Sequence, residues 1–268
     1  MNIKRFLRKI LQPVGIWGKL HDFRRDFYIR LDAIEFVPLW KWLKVFPHYH
    51  SSDNHINALS HSQYGQDLYI IDRIFKRCGV FVEVGGNDPI NLSNTFLLEK
   101  LGWTGVAFEP INHLQEKWEK VRTTKCYPYV IGSEEGRVNF EEVQLVKEDG
   151  QSHWALSGVQ GYGRIEQQNV QPHEIIVVEK QMRKLENILN ELNILNIDIL
   201  FVDVEGFELN VLEGIDFEKV EIRCICVESP VFTKEAYNIR FLLRTRGYKL
   251  LAHIGGDDIF IYDKNLRG

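Results

Sequence analysis

The sequence predicts an α/β fold: a doubly wound, mostly parallel sheet of seven strands whose last strand is antiparallel. Three observations predict it. From about residue 63, short apolar, β-rich runs alternate with stretches of helical periodicity, the pattern of a parallel sheet covered by helices on both faces. The last two runs are separated by residues 254–257, which contain Gly255-Gly256, a hairpin signal that reverses the chain. The composition, 44% apolar and 26% charged over 268 residues, can fill a sizeable core and excludes wholesale disorder.

The N-terminal segment stands apart by charge. Residues 1–30 hold eight Lys/Arg and two acids, net +6, which leaves −10 for the rest of a chain whose formal charge is −4. Phe6, Leu7, Ile10 and Leu11 recur at helical spacing between basic residues, and Trp17, Trp40 and Trp42 are rings of the kind that sit at a lipid interface. Residues 1–60 are therefore read as a basic, aromatic-bearing helical extension. Either residues 1–50 touch anionic lipid peripherally, or the extension packs on the domain or on a partner subunit. No run of 18 uncharged apolar residues occurs and no secretory signal is present, so the expected location is cytoplasmic, at the inner face of the membrane if the lipid contact is made. The acidic balance disfavours a nucleic-acid partner. The four cysteines form no C-x-x-C; Cys224 and Cys226 fall on one side of a strand and read as small buried hydrophobes.

Residues 61–268 form the predicted domain. Its strands are expected over 80–85, 105–109, 126–131, 197–204, 222–228, 248–253 and 258–262. Its helices are expected near 66–77, 93–101, 112–121, 182–193, 207–213 and 234–246. Between 141 and 178 the pattern weakens. Gly150, Gly158, Gly161 and Gly163 punctuate it, with His153, Trp154, Tyr162 and Arg164 among them. Such a stretch is either a substrate loop or a surface excursion built around a hairpin.

The strongest local signal is Val80-Phe-Val-Glu-Val-Gly-Gly-Asn-Asp-Pro89, followed by Ser93-Asn94. A buried strand ends in Gly85-Gly86, where absent side chains let a ligand approach the backbone. The loop is not G-x-G-x-x-G, and an acid within the strand, Glu83, is a poor neighbour for a diphosphate but suits a cationic amino group. Glu109 ends the next strand, 26 residues after Glu83, close to where a ribose-binding acid sits in nucleotide folds. The pair reads as nucleoside binding with an attached cation, a description that S-adenosyl-L-methionine fits. Further on, Asp203, Glu205 and Glu208 cluster at the carboxyl end of the apolar run 197–204. They could orient the cofactor, supply a general base, hold a hard divalent metal, or cap a helix. Glu228 ends the next strand on the same edge, which favours the acceptor side. His48, His50 and His61 lack zinc-binding spacing, and no metal is predicted.

Together these residues resemble the FkbM family of S-adenosyl-L-methionine-dependent methyltransferases. Ser62-Gln-Tyr-Gly-Gln-Asp67 resembles the family's opening motif, Phe81-Val-Glu-Val-Gly-Gly-Asn-Asp88 with Ser93-Asn-Thr95 its cofactor loop, and Phe108-Glu-Pro110 its ribose strand. Leu156-Ser-Gly158 resembles a short motif of the variable region, Asp203-Val-Glu-Gly206 the most characteristic piece, and Gly256-Asp-Asp-Ile-Phe260 the closing strand. The likeness covers roughly residues 62–262. It implies a Rossmann-like class I methyltransferase fold and methylation of a hydroxyl on a sugar, glycan or glycosylated natural product, as in polysaccharide biosynthesis. It implies that Glu83, Gly85, Gly86, Asn87, Asp88, Ser93, Asn94 and Asp203 surround the cofactor, with Glu109 and Pro110 at the ribose and Gln66 and Asp67 closing over it. Ser157, Tyr162, Arg164 and Glu228 are then expected at the acceptor. Pro89 departs from the family's Asn-Asp-Gly ending; since proline fixes φ, a loop that needs φ > 0 there must be shaped differently.

In-line methyl transfer needs an acceptor oxygen that is losing its proton. Asp203 is the first candidate base, Glu205 the second and His153 the third. Two rival readings are an NAD(P)-dependent oxidoreductase, disfavoured by the missing G-x-G-x-x-G, and a non-catalytic, membrane-associated cofactor-binding module, motivated by Pro89 and the basic arm.

Overall fold

The computed structural model describes residues 45–75, 77–144, 154–162, 174–230 and 233–264. In chain order the first strands are β1 (Val45–Phe46), β2 (Val80–Val84), β3 (Thr104–Phe108) and β4 (Lys125–Tyr127). They are followed by β5 (Val130–Ile131), β6 (Gly136–Val143), β7 (Gly158–Val159) and β8 (Ile175–Arg183). The last four are β9 (Asn196–Val202), β10 (Glu221–Glu228), β11 (Tyr248–Ile254) and β12 (Asp257–Tyr262). The helices are α1 (Asn54–Asn57), α2 (Gln66–Tyr69, continuing as a π-turn over Ile70–Ile74), α3 (Phe96–Lys100), α4 (Asn112–Val121), α5 (Leu185–Glu191), α6 (Glu208–Glu213) and α7 (Lys234–Thr245).

The main sheet has the order β1-β11-β12-β10-β9-β2-β3-β4. Every neighbouring pair is parallel except the two that involve β12, which lies antiparallel between β10 and β11. It is a mostly parallel sheet with an antiparallel final strand, but it has eight strands rather than the expected seven. The addition is β1, which comes from the segment read as a helical extension and pairs with His253 and Ile254. The chain moves outward from β2 to β4, then returns to β9 on the other side of β2. This reversal makes the carboxyl ends of β2 and β9 a topological switch point, where side chains cannot close the gap between oppositely directed connections.

Strand side chains alternate, so each strand feeds two cores. Val82, Val84, Val106, Phe108, Leu200, Val202, Ile225 and Val227 pack on one face with α4, α5 and α7 residues. Phe81, Ile199, Phe201, Cys224, Cys226 and Ile259 pack on the other with Leu68, Tyr69, Leu97 and Leu98. Cys224 and Cys226 are free thiols within that second core.

Two expected elements differ. The run 126–131 is not one strand: β4 ends at Tyr127, and β5 belongs to a second sheet of order β5-β8-β6-β7. Pro128 lies between them, and with no N–H it cannot continue the ladder. The helix expected from 182 starts at Leu185, because Met182 and Arg183 still belong to β8. β8 pairs antiparallel with β6 from Gly136↔Met182 to Val143↔Ile175. The weakly patterned insertion thus begins and ends in paired strands. Residues 1–44, most of the insertion, His153 and Arg164 lie outside the described residues. Among the described residues no helix is long and apolar enough to cross a membrane.

Candidate active site

The period of two that builds the cores also builds the site. On the face packed against α2 and α3, Phe81 is followed by Glu83 and Gly85, Ala107 by Glu109, and Phe201 by Asp203. Cys226 is followed by Glu228, and Ile259 is preceded by Asp257. Glu83 is opposite both Ala107 and Phe201, Phe201 is opposite Cys226, and Glu228 is opposite Asp257. The ladder continues one step past β2, since Gly85 N–H donates to Phe108 C=O (3.0 Å) and Asp203 N–H to Val84 C=O (3.0 Å). Glu109, Gly85, Asp203, Glu228 and Asp257 therefore form one row across the carboxyl edge. Four apolar columns end in acids, and β2, with Gly85 in that row, carries its acid one step lower at Glu83.

A cavity of about 380 Å³ opens above this row. The structure brings Gln66, Glu83, Gly85, Gly86, Asn87, Asp88, Asn94, Glu109, Pro110, Ser157, Asp203, Glu205 and Glu228 to its lining. It does not bring Asp67, Ser93 or Tyr162 there. Asp67 is fully buried, and its carboxylate accepts from the hydroxyls of Ser60 (2.8 Å) and Ser62 (2.6 Å) and the amide of Leu68 (2.7 Å). It braces the loop before α2 rather than closing over the cavity. Ser93 Oγ accepts from the amides of Thr95 and Phe96 and so starts α3. Tyr162 stands exposed, edge-on to Phe207 at 4.7 Å, and Phe207 is the one that lines the cavity.

At the β2–β3 end, both oxygens of Glu109 are held by backbone amides, Asn87 at 2.8 Å and Ile111 at 2.8 Å. Each oxygen keeps a lone pair for a ligand hydroxyl. Burial pushes the Glu109 carboxyl up to about 7, against the pull of those two amides. Glu83 is 4% exposed and accepts from the Thr95 hydroxyl at 2.5 Å. Burial pushes it up to about 7 as well, with Arg122 acting in the opposite sense. The connecting loop turns left-handed at Gly85 (φ 87°), Asn87 (39°) and Leu92 (61°), not at Pro89. Asn87 tolerates that conformation better than most side chains. Its carbonyl accepts from Trp118 Nε1 (2.9 Å), while Asp88 accepts from the amides of Ile90 and Asn91 and pairs with Lys117. The loop is thus shaped so that proline at 89 carries no left-handed burden.

A Cβ at Gly85 would stand 1.7 Å from the carbonyl oxygen of Asp203. The sequence pattern assigns this glycine to ligand approach; the structure gives it first to the crossing of two backbones.

At the β9–β10–β12 end the acids crowd. Burial, then Glu228, Glu205, Asp257 and Glu208, drives the Asp203 carboxyl well above the usual range. Burial likewise raises Asp257 to about 7, although Gln66 Nε2 donates to it. Carboxylate oxygens of Asp203, Glu208 and Glu228 lie within 4.8 Å of one another, close enough to share a hard cation. Glu208 is already engaged, accepting from the amides of Val204 (3.0 Å) and Gly206 (3.0 Å), which makes it a brace of the Asp203–Gly206 turn.

The family model described as Methyltransferase FkbM domain matches residues 83–250, from Glu83 in β2 into β11. The chain belongs to the FkbM methyltransferase family. Among curated proteins no match was found.

Two site residues of this FkbM methyltransferase lie outside the matched span and were missed by sequence reasoning. Asp257 looked like a turn residue after Gly255-Gly256, yet its register with Glu228 carries it into the acid row. Tyr64 lay in the opening motif beside Gln66. Its ring packs where a Cβ on Gly255 would be, 2.1 Å away, and it lines the cavity. Burial, then Asp257, Glu228 and Asp203, raises its hydroxyl pKa above the usual range, so it lies close to the acids.

Proposed function

We propose that this FkbM methyltransferase uses S-adenosyl-L-methionine to methylate a hydroxyl of a sugar, glycan or glycosylated natural product. One observation carries the reading. Glu83, Gly85, Glu109 and Asp203 surround a single cavity at the switch point of a parallel sheet. The residues present fit the cofactor. Asn94 Oδ1 is buried at the cavity and accepts no hydrogen bond among the described residues, an acceptor suited to an ammonium group beside Glu83. Glu109 keeps acceptor capacity for ribose hydroxyls. When bound, S-adenosyl-L-methionine supplies an electrophilic methyl carbon.

The chain's own residues then have three tasks. The first is binding: Glu83, Asn87 and Asn94 at the amino-acid end, Glu109 and Pro110 at the nucleoside end, with Gln66 closing over them. The second is orientation and dryness. Tyr129, Phe140, Trp154 and Phe207 give the cavity apolar walls, which suit the carbon face of a sugar ring and exclude water. Ser157, Glu228 and, from the insertion, Arg164 are the proposed acceptor contacts, with Tyr162 backing Phe207 in the wall. The third is proton removal. A carboxylate crowded by other acids holds a proton better than a free one, so Asp203 is the proposed base, Glu205 the next and His153 the third. The fold follows the class I methyltransferase plan with β1 appended at the edge. The cytoplasmic face of a membrane, reached by the basic N-terminal segment, is the proposed working location.

The test uses Asp203→Asn. It should bind S-adenosyl-L-methionine within about threefold of wild type by calorimetry. Transfer of labelled methyl groups to the glycan fraction of a cell extract should fall by roughly 10²–10⁴-fold. Wild-type transfer by the variant would remove Asp203 from the role, and absence of cofactor binding by the wild-type protein would remove the whole reading.

A further inference from the structure

Behind Glu83, on the side away from the cavity, lies a buried chain of polar contacts that the proposed reaction does not use. Arg122 follows α4, and its side chain is wholly buried in an ion pair with Glu99 (Nε to Oε2, 2.9 Å). Its Nη1 donates to the Pro89 carbonyl at 2.8 Å and to Ser93 Oγ at 3.3 Å. Its Nη2 donates to Thr95 Oγ1 at 3.0 Å. The guanidinium lies over the Trp118 ring, 4.4 Å from its centroid. Thr95 is itself fully buried; its oxygen accepts from Arg122 and its hydroxyl donates to Glu83 Oε2, 2.5 Å away. A guanidinium can only donate and an ionised carboxylate can only accept, so the chain runs from guanidinium to hydroxyl to carboxylate.

We propose that Thr95 and Arg122 are positioning residues that favour the charged form of Glu83 and keep it aimed into the cavity, and so set the affinity for a ligand ammonium group. The assignment rests on the cavity being an S-adenosyl-L-methionine site, but its core concerns Glu83 alone. Arg122, the Thr95 hydroxyl and the Asn94 amide favour its charged form, while burial and Glu109 oppose it; Glu83 in turn bears on the Cys126 thiol. With these in balance the carboxyl sits at about 7. Loss of the Thr95 hydroxyl removes a contributor that favours the charge, so the balance tips toward the protonated acid, which binds ammonium poorly.

The experiment has two readouts on the full chain. The first is carboxyl titration of Glu83 by ¹³C NMR, assigned with Glu83→Gln. In Thr95→Val, which keeps the shape and removes the hydroxyl, the Glu83 midpoint should rise by about one pH unit, and in Thr95→Ser it should stay. The second is calorimetric binding of S-adenosylhomocysteine from pH 6 to 9. Thr95→Val should bind about fivefold more weakly at pH 7 and recover to wild type at pH 9, with Thr95→Ser within about twofold throughout. Should Thr95→Val not fold, Thr95→Ala removes the same hydroxyl without adding bulk. A Glu83 midpoint that is the same with and without the hydroxyl overturns the proposal, as does an affinity loss that is equal at every pH, which would mark a structural role. If the wild type binds no S-adenosylhomocysteine, the cofactor reading fails, and the NMR midpoint still decides whether the hydroxyl governs Glu83.

Discussion

Glu205 has φ +54°, and Gly206 after it +106°. A non-glycine residue in that region costs about 1–3 kcal/mol. Glu205 also adds to the negative field that raises Asp203. The chain keeps an acid where glycine would be relaxed, and that acid lines the cavity. Glu205→Gly should therefore stabilise the protein by about 1 kcal/mol in urea unfolding while lowering methyl transfer, because the strain and repulsion removed exceed the roughly 0.5–1 kcal/mol of extra unfolded-state entropy. A drop in stability would show that contacts of the Glu205 side chain outweigh its backbone strain. Gly85 teaches the complementary lesson. Its type was legible as special, but the reason, a carbonyl crossing at 1.7 Å from a hypothetical Cβ, belongs to a strand far away in sequence.

β12 brings Asp257 into the acid row, and its own anchoring lies on the opposite face. Asp258 is fully buried between Arg240 of α7 (2.6 Å) and His253 of β11 (2.8 Å). Burial alone would raise its carboxyl; the hydrogen bond to His253 and the charge of Arg240 outweigh it and hold it below the ordinary value. The reversed strand is thus pinned to a helix and to its neighbour at the residue next to the site. Asp258→Ala leaves the arginine without its carboxylate in a buried position and should cost about 3–5 kcal/mol in denaturant unfolding. A loss below about 1 kcal/mol would mean that Arg240 swings out to water. The alternation of apolar runs and helical stretches announced most of the main sheet, including the reversal of its last strand. It placed no strands at β6 and β8, because residues 175–178 run apolar without the alternation of a half-buried strand and leave Ile176 and Val177 exposed.

Across the whole molecule, the buried acids of the site set how stability responds to pH. Glu83, Glu109, Glu208 and Asp257 are each raised to about 7, above their unfolded values. A carboxyl raised by folding contributes stability that is present at low pH and lost as pH climbs through its folded value. Glu99 has the opposite sign: despite burial, the Thr124 hydroxyl, the Thr123 amide and Arg122 pull it down to about 2, so its contribution is lost only in strong acid. Between pH 5.5 and 8.5 the raised acids govern, and the thermal midpoint of the ligand-free protein should fall. Raising one carboxyl tenfold in proton affinity corresponds to about 1.4 kcal/mol, and each kcal/mol to about 2–4 °C for a domain of this size, so the drop should reach several degrees. A midpoint that is flat or rises with pH would show that these acids ionise freely in the fold. The sequence by itself determined the alternating α/β plan, the family, and the identity of Glu83 as an acid within a strand and of Glu109, Asp203 and Glu228 as strand-end acids, because hydrophobic period and strand ends are local properties of the chain. Only the tertiary structure decided that these acids share one row and one cavity with Asp257 and Tyr64, that Asp67 and Glu208 brace turns, and that Arg122 stands behind Glu83. Those facts depend on register between strands and on packing of distant helices, which no local pattern encodes.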